Sequence, residues 1–180
     1  MKSYVKWAIL IFIVNAVLTI AGHVTFDEEA IRSGEQGLGQ ILYYLGMLVA
    51  LVLLFLGIRE KKTSNPSEFT FGKGFGEGML ISVLAGLFIA VFIFLFYSYV
   101  APEDMDAIRD TSYANMEKQG MTTEQIDQAR PMMDFFISPS GFLISTMFMY
   151  VLGGAILSLI MAAIVNATGP RSGGNDPLPA

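Results

Sequence analysis

The chain has 180 residues, of which 53% are hydrophobic and only 15% are charged, with a formal net charge of −5 and no cysteine. A soluble domain carries roughly 25% charged residues, so the missing charge and a mean hydropathy of +0.55 indicate that lipid is the solvent. The negative charge argues against nucleic acid as a partner, and the lack of cysteine excludes disulfides and Cys-ligated metals.

Four apolar segments are long enough to cross a bilayer, and they predict an all-α integral membrane protein. Lipid offers no partners for backbone N–H and C=O groups, so a spanning segment must be a helix or part of a closed barrel. A spanning helix needs about 20 apolar residues, and no segment shows the alternation of a barrel strand. The predicted spans are 5–22, 38–58, 76–100 and 141–165.

The first segment also has features of a secretory signal, since Lys2 and Lys6 precede its apolar run. The run is long, however, and residues 19–21 make a poor small-residue cleavage site. We therefore expect an uncleaved signal anchor that stays in the membrane as the first span.

A polar stripe runs along this first helix, with Asn15, Thr19 and His23 spaced four residues apart. Polar side chains inside a membrane are costly unless partnered, which makes them candidates for function. One interpretation is a proton or small-solute path that ends at His23. The interpretation we favour has Asn15 and Thr19 hydrogen-bonded to a neighbouring helix, with His23 at the membrane interface.

The linker after the second span is basic and ends in an apparent capping pattern. Residues 65–68, Asn-Pro-Ser-Glu, read as an N-cap, a proline at the first helical position and an acid in the first turn. The third helix is therefore expected to begin with an interfacial turn. Residues 72–78 are rich in glycine, but they match neither a P-loop nor a dinucleotide-binding fingerprint.

Glu77 is the only carboxylate near the interior of a predicted span. We expect it to pair with Lys73, four residues earlier, although this order of charges is the weaker one on a helix. A transporter's coupling site normally lies near the bilayer midplane. Because Glu77 lies close to the helix end instead, we predict a structural role for it.

Small residues recur at every fourth position on the third and fourth spans. This spacing keeps them on one helix face, where small side chains let two helix backbones approach closely in lipid. We expect the two antiparallel helices to pack through these ridges; a homodimer contact and a sliding gate are the alternatives. The ridges are Gly74, Gly78, Ser82, Gly86 and Ala90, and Gly154, Ser158, Ala162 and Asn166.

Residues 102–137, between the third and fourth spans, predict an extracytoplasmic helical hairpin. Pro102 suits the first position of a helix, and Gly120 suits a helix C-cap. Thr122 with Gln125 predicts a capping box for the second helix of the hairpin.

The first turn of this hairpin is acidic, which raises the question of calcium. The acids lack the spacing and the glycine of an EF-hand loop, and negative charge stabilises a helix start. We interpret them as helix-start charges and predict no metal site. These acids are Glu103, Asp104, Asp106 and Asp110.

The distribution of Lys and Arg predicts that both termini are cytoplasmic. Basic residues concentrate in cytoplasmic loops, and seven of them fall on the side of the N-terminus against four on the other. The opposite loops hold twelve carboxylates, which give that face a negative surface. The tail 169–180, rich in Gly and Pro, is predicted to be disordered. The seven basic residues on the side of the N-terminus are Lys2, Lys6, Arg59, Lys61, Lys62, Lys73 and Arg171.

Four stretches carry a resemblance to a known family. They are 69–75 (FTFGKGF), 97–99 (YSY), 116–121 (MEKQGM) and 153–163 (GGAILSLIMAA). Together they resemble the inner-membrane proteins grouped as domain of unknown function 4199, found mainly in Bacteroidota, and the likeness covers most of residues 1–168. The resemblance implies four spans in a bacterial inner membrane. It implies no activity and no catalytic residue.

The residue inventory favours a protein that is not an enzyme and uses no cofactor. One histidine, no cysteine and no HExxH motif leave no visible nucleophile–base or metal-hydrolase constellation. We therefore predict an accessory, scaffold or interaction subunit whose partners are the bilayer and a membrane protein or a second copy. A small-solute or proton transporter, acting as an oligomer through Asn15, Thr19, His23 and Glu77, is the alternative. An enzyme acting on lipid-linked sugars is a weaker third, because paired acids facing a cleft are not evident.

Overall fold

A computed structural model describes residues 2–25 and 38–168, with side chains from residue 41 onward in the second range. In these ranges the chain forms α-helices and no strand. Four of the helices are long and apolar enough to cross a membrane, so the protein is a multi-pass membrane protein and the predicted fold class is confirmed. The helices are α1 (Ser3–Val24), α2 (Leu38–Ser64), α3 (Phe71–Leu95), α4 (Pro102–Lys118), α5 (Thr123–Phe136) and α6 (Pro139–Ala167).

The helices extend beyond the predicted spans at several ends. α2 continues through its basic residues to Ser64, and α6 begins at Pro139. Long charged side chains are good helix formers, so the helix need not stop where the apolar run stops. The predicted disordered tail 169–180, with Arg171, lies outside the described residues. So do four of the twelve carboxylates assigned to the opposite loops, Asp27, Glu28, Glu29 and Glu35.

The predicted start of the third helix is wrong. Residues 65–68 form a turn, and α3 begins at Phe71. Its N-cap is Thr70, which has the extended backbone that an N-cap needs (φ −126°, ψ 162°). The Thr70 side chain accepts a hydrogen bond from the backbone N–H of Lys73 at 3.3 Å, which satisfies one of the orphan donors of the first turn.

α3 is the central helix of the bundle. It packs against α1, α2 and α6, and its most extensive contact is with α6. Fully buried apolar side chains come from all four long helices: Ala8 on α1, Ile58 on α2, Ile81 on α3 and Ala162 on α6. α3 therefore holds the bundle together, while one face of each of the other long helices is left for lipid.

α3 ends in a short π-helical segment, Phe96–Val100. The backbone N–H of Ala101 donates to the carbonyl oxygen of Phe96 at 3.0 Å, five residues back. Such insertions rotate the side chains that follow. Here the segment buries Phe96, and only Ala101 separates it from the proline that starts α4.

α4 and α5 are joined at Gly120, whose φ of +82° lies in the left-handed region that favours glycine. The predicted capping box of α5 is confirmed. The backbone N–H of Thr122 donates to the Gln125 side chain at 2.9 Å, and the backbone N–H of Gln125 donates to the Thr122 hydroxyl at 3.3 Å. Both ends of this turn are therefore fixed by local hydrogen bonds.

Candidate functional site

The small residues of α3 and α6 face each other in one antiparallel register. A Cβ built on Gly78 would lie 2.5 Å from the hydroxyl oxygen of Ser158, and one built on Gly154 would lie 2.5 Å from Cβ of Ser82. Real Cβ atoms essentially never approach a neighbour so closely. Glycine at these two positions therefore lets the backbones come together, as close packing in lipid requires.

The register continues in both directions along the two helices. The Cβ position of Gly74 is 3.3 Å from Cβ of Ala162, and that of Gly86 is 2.5 Å from Cβ of Tyr150. Ala90 is buried at the far end of this face, but Asn166 is exposed. The two helices thus pack closely along a seam that runs from Gly74 to Gly86 on α3.

Asn15 and Thr19 are partnered within α1. The Asn15 side-chain amide donates to the carbonyl oxygen of Ile11 at 2.9 Å, and the Thr19 hydroxyl donates to the carbonyl oxygen of Asn15 at 2.9 Å. The favoured prediction of hydrogen bonds to another helix is therefore wrong. The carbonyl four residues back is already within reach of such short side chains. Asn15 nevertheless packs on α2, with its Oδ1 3.1 Å from the Cβ position of Gly46.

His23, the last member of the stripe, contacts Asp104 at the start of α4. Its Nδ1 lies 2.9 Å from Oδ2 of Asp104, whose side chain is only 7% exposed. The ring of Phe96 meets the His23 ring edge-on, with centroids 5.5 Å apart. The sequence suggested an interfacial His23 and a helix-start role for Asp104, but nothing in it linked two residues 81 positions apart. The contact fixes α4 to the end of α1.

A second polar cluster fixes the other side of the α4–α5 pair. The Arg109 guanidinium donates to the carbonyl oxygen of Ile137 at 3.0 Å and forms an ion pair with Asp134 at 3.1 Å. The Tyr113 hydroxyl donates to Asp134 at 2.7 Å, and this hydrogen bond, with desolvation, raises the pKa of the Tyr113 phenol. Arg130 lies 4.8 Å from the centre of the Tyr113 ring. These contacts hold α4, α5 and the start of α6 in one arrangement.

The outward surface of the α4–α5 pair is acidic. Two of its exposed carboxylates pair with an arginine on the same helix, Asp106 with Arg109 and Asp127 with Arg130. The other four exposed carboxylates, on Glu103, Asp110, Glu117 and Glu124, form no ion pair within the described part of the chain. Across residues 2–25 and 38–168, no three His, Cys, Asp or Glu side chains are grouped closely enough to hold a metal ion. The exposed acids are Glu103, Asp106, Asp110, Glu117, Glu124 and Asp127.

Glu77 pairs with a different lysine from the one predicted. Its Oε2 lies 3.3 Å from Nζ of Lys61, while Lys73 pairs with Glu68 at 3.3 Å. Lys61 reaches Glu77 across the interface of α2 and α3, whereas Lys73 pairs with the exposed Glu68 of the connecting segment. The six-residue connection between the two helices, 65–70, was a signal for this pair, because a short linker forces the adjoining helix ends together.

An open cavity of about 340 Å³ lies beside this ion pair. Lys61, Lys73, Glu68 and Glu77 supply its charged lining. Glu77 is 4% exposed, and its Oε1 has no hydrogen-bond partner. This cavity could not be predicted from the sequence, because its walls come from the end of α2, the connecting segment and the start of α3.

The four residues of the candidate polar site do not meet. Glu77 lies at the start of α3, whereas His23 contacts Phe96 beyond the end of α3. At 1.5 Å per residue these points are separated by roughly 28 Å along the bundle. The structure therefore contains two separate polar places, the His23–Asp104 contact at one end and the Glu77 cavity at the other.

At the cavity end of the bundle, side-chain hydrogen bonds connect the ends of three helices. Lys6 and Trp7 of α1 both donate to the Glu60 carboxylate of α2, each within 2.6–2.7 Å. Lys62 donates to the carbonyl oxygen of Val165 at 2.7 Å, which places a positive charge at the negative end of α6. The start of α1, the end of α2 and the end of α6 therefore lie together.

Comparison with known proteins gives one relationship. A family model described as "Protein of unknown function (DUF4199)" matches residues 6–167. No curated protein and no solved structure matches the chain.

Proposed function

We propose that this chain, which belongs to the DUF4199 family of proteins of unknown function, is a non-enzymatic interaction subunit of a bacterial inner membrane. Its four long helices anchor it in the bilayer, and its acidic α4–α5 pair contacts another protein. The Lys and Arg distribution supports cytoplasmic termini, which would put the α4–α5 pair on the extracytoplasmic side.

The observation that carries this proposal is the fixed attachment of an acidic element to the bundle. His23–Asp104 holds the start of α4, and the Arg109 guanidinium holds the α5–α6 junction through the carbonyl oxygen of Ile137. A segment held in this way binds a partner without a large cost of ordering. A loop with no role in recognition would not need polar contacts to the bundle at both ends, one of them through the buried Asp104.

The surface chemistry indicates the kind of partner. Exposed carboxylates favour a partner with a basic contact patch, because complementary charge steers association and excludes wrong partners. Apolar side chains lie beside the acids, since Met132, Phe135 and Phe136 on α5 are all exposed. Their position next to the start of α6 suits a partner that is itself in or on the membrane.

Photo-crosslinking in native membranes tests this proposal. A photoreactive amino acid at the exposed Asn115 of α4 should give a protein adduct, whereas the same group at the lipid-facing Leu87 of α3 should not. The adduct at 115 should fall about tenfold in the double variant Glu117→Lys, Glu124→Lys, because charge reversal in an interface costs on the order of 1 kcal/mol or more.

The mass of the adduct distinguishes a second copy of the chain from a different protein. Equal labelling at both positions, or an adduct that is unaffected by the charge reversal, would contradict the proposal. So would the recovery of chain without any adduct from membranes in which the protein is expressed at its natural level.

Transport by an oligomer is the second candidate, and the Glu77 cavity is the observation that favours it. A buried carboxylate with a free oxygen is a chemically suitable proton or cation site. The closely packed α3–α6 seam argues against a path between these two helices. Flux measurements on reconstituted vesicles test this alternative. A proton or solute flux that Glu77→Gln abolishes would support transport, and the absence of flux under any gradient would exclude it.

A further inference from the structure

We propose that the cavity between the end of α2 and the start of α3 binds the phosphoethanolamine headgroup of a phospholipid. The juxtaposition that supports this is a buried carboxylate with one unpartnered oxygen beside two accessible lysines, in an open cavity next to a lipid-facing helix. The headgroup carries one phosphate and one primary ammonium. Each of these groups has a matching partner in the lining.

The lysines supply the phosphate side of the site. Lys61 and Lys73 line the cavity from two different helices, and the Lys73 side chain is 51% exposed. Both are held only by ion pairs at 3.3 Å, so each ammonium keeps donors for a phosphate oxygen. The neighbouring Lys62 is not available for this role, because it donates to the carbonyl oxygen of Val165.

Glu77 supplies the ammonium side. Its Oε2 is paired with Lys61, but its Oε1 is buried without a hydrogen-bond partner. That atom has less than 1 Å² of accessible surface, so an ammonium in the cavity pairs with the carboxylate only as the Glu77 side chain turns Oε1 toward it. The turn is favoured because a buried carboxylate oxygen left unpaired is unfavourable. A primary ammonium has three N–H donors, whereas the trimethylammonium of a choline headgroup has none. The site should therefore distinguish ethanolamine from choline.

The surroundings favour a lipid over a soluble compound. Leu80, one turn along α3 from Glu77, lines the cavity and is 47% exposed on the bundle surface. The long apolar helices α2 and α3 continue from this point into the span region. A headgroup in the cavity would thus have its acyl chains beside α3, at the depth where headgroups lie. Cavity size also fits, since about 340 Å³ holds a small polar group rather than a whole lipid.

The test measures which phospholipids the purified full-length protein retains, by native mass spectrometry after exchange into detergent with equal amounts of each lipid. The headgroup series runs from ethanolamine through its monomethyl and dimethyl forms to choline, with the same acyl chains. Retention should fall along the series as the ammonium loses its donors. The ethanolamine form should be favoured over the choline form by roughly tenfold, as expected for a hydrogen bond to a charged group.

Two matched variants test the role of Glu77. Glu77→Gln should remove most of the preference for ethanolamine, because the ammonium loses its charged acceptor. Glu117→Gln should keep the preference, since Glu117 is exposed on α4 and does not line the cavity. If Glu77→Gln does not fold, Lys73→Gln is the second variant: it should weaken retention of every phospholipid in the series to a similar degree.

Three results would overturn the proposal. Equal retention of the ethanolamine and choline lipids by the unchanged protein is the first. The second is a preference that survives in folded Glu77→Gln or is lost equally in Glu117→Gln. The third is displacement of the bound lipid by soluble phosphoethanolamine at matched concentration, which would assign the cavity to a soluble zwitterion.

Discussion

Replacing Gly78 with alanine tests the seam between α3 and α6. The new Cβ would lie 2.5 Å from the Ser158 hydroxyl oxygen, 2.8 Å from Ser158 Cβ and 2.9 Å from a methyl group of Ile58. The helices must move apart or the neighbours must leave their rotamers, which costs about 1–3 kcal/mol. Alanine in place of glycine gains about 1 kcal/mol of helix propensity, so a suitable reference must carry the same gain.

Gly76→Ala is that reference, because a Cβ at Gly76 has nothing within 4 Å. The difference between the two variants isolates the steric cost, and we expect Gly78→Ala to be less stable by about 1–3 kcal/mol. Adding Ser158→Gly to Gly78→Ala should recover part of the loss, because it removes the atoms that the new methyl group meets. Titration of the purified protein with a denaturing detergent, followed by far-UV circular dichroism, measures these free energies of unfolding.

The same comparison can be repeated from the side of α6. Gly154→Ala would place a Cβ 2.5 Å from Cβ of Ser82, whereas the adjacent Gly153 has open space around it. A larger probe is Gly86→Leu, which should prevent the seam from closing against Tyr150. If Gly78→Ala and Gly76→Ala unfold at the same detergent concentration, the seam does not govern stability and the reasoning is wrong.

Three further changes probe the polar contacts. His23→Ala leaves the buried Asp104 without its partner and should cost about 1–3 kcal/mol, seen as earlier proteolysis within α4; unchanged cleavage would argue against the contact. Lys62→Met removes the hydrogen bond to the Val165 carbonyl and should lower the free energy of unfolding by about 1 kcal/mol. The raised pKa of Tyr113 means that its hydrogen bond contributes fully below about pH 10 and is lost as the pH rises through the raised pKa. Tyr113→Phe should therefore be destabilised at neutral pH, with the deficit vanishing in alkali.

Much of the fold could be predicted because the signals are local. Length and hydropathy are enough to identify four spans, and a capping box is encoded within four residues, as at Thr122–Gln125. The four-residue spacing of glycine and serine on α3 and α6 is also readable directly. Such a pattern indicates which face of a helix carries small side chains. Two long helices that follow one another in opposite directions across the membrane are then expected to pack through these faces.

The contacts that build the candidate sites were harder to predict from the sequence. His23 and Asp104 are 81 residues apart, and the π-helical segment before α4, whose Phe96 packs on the His23 ring, has no clear sequence signature. Lys73 was the nearer partner for Glu77 along the chain, but the fold brings Lys61 from α2 closer. Thr70 was missed as a cap because residues 65–68 carry a competing capping pattern and form a turn instead.

The attachment of α4 and α5 to the bundle is the premise on which the proposed interaction depends. Hydrogen–deuterium exchange on the purified full-length protein measures it most directly. We expect the α4 and α5 amides to be protected in the unchanged protein, and α4 to lose protection in His23→Ala while the Thr19→Ala control, whose hydroxyl bonds only within α1, keeps it. Rapid, unprotected exchange throughout residues 102–137 in the unchanged protein would contradict the account.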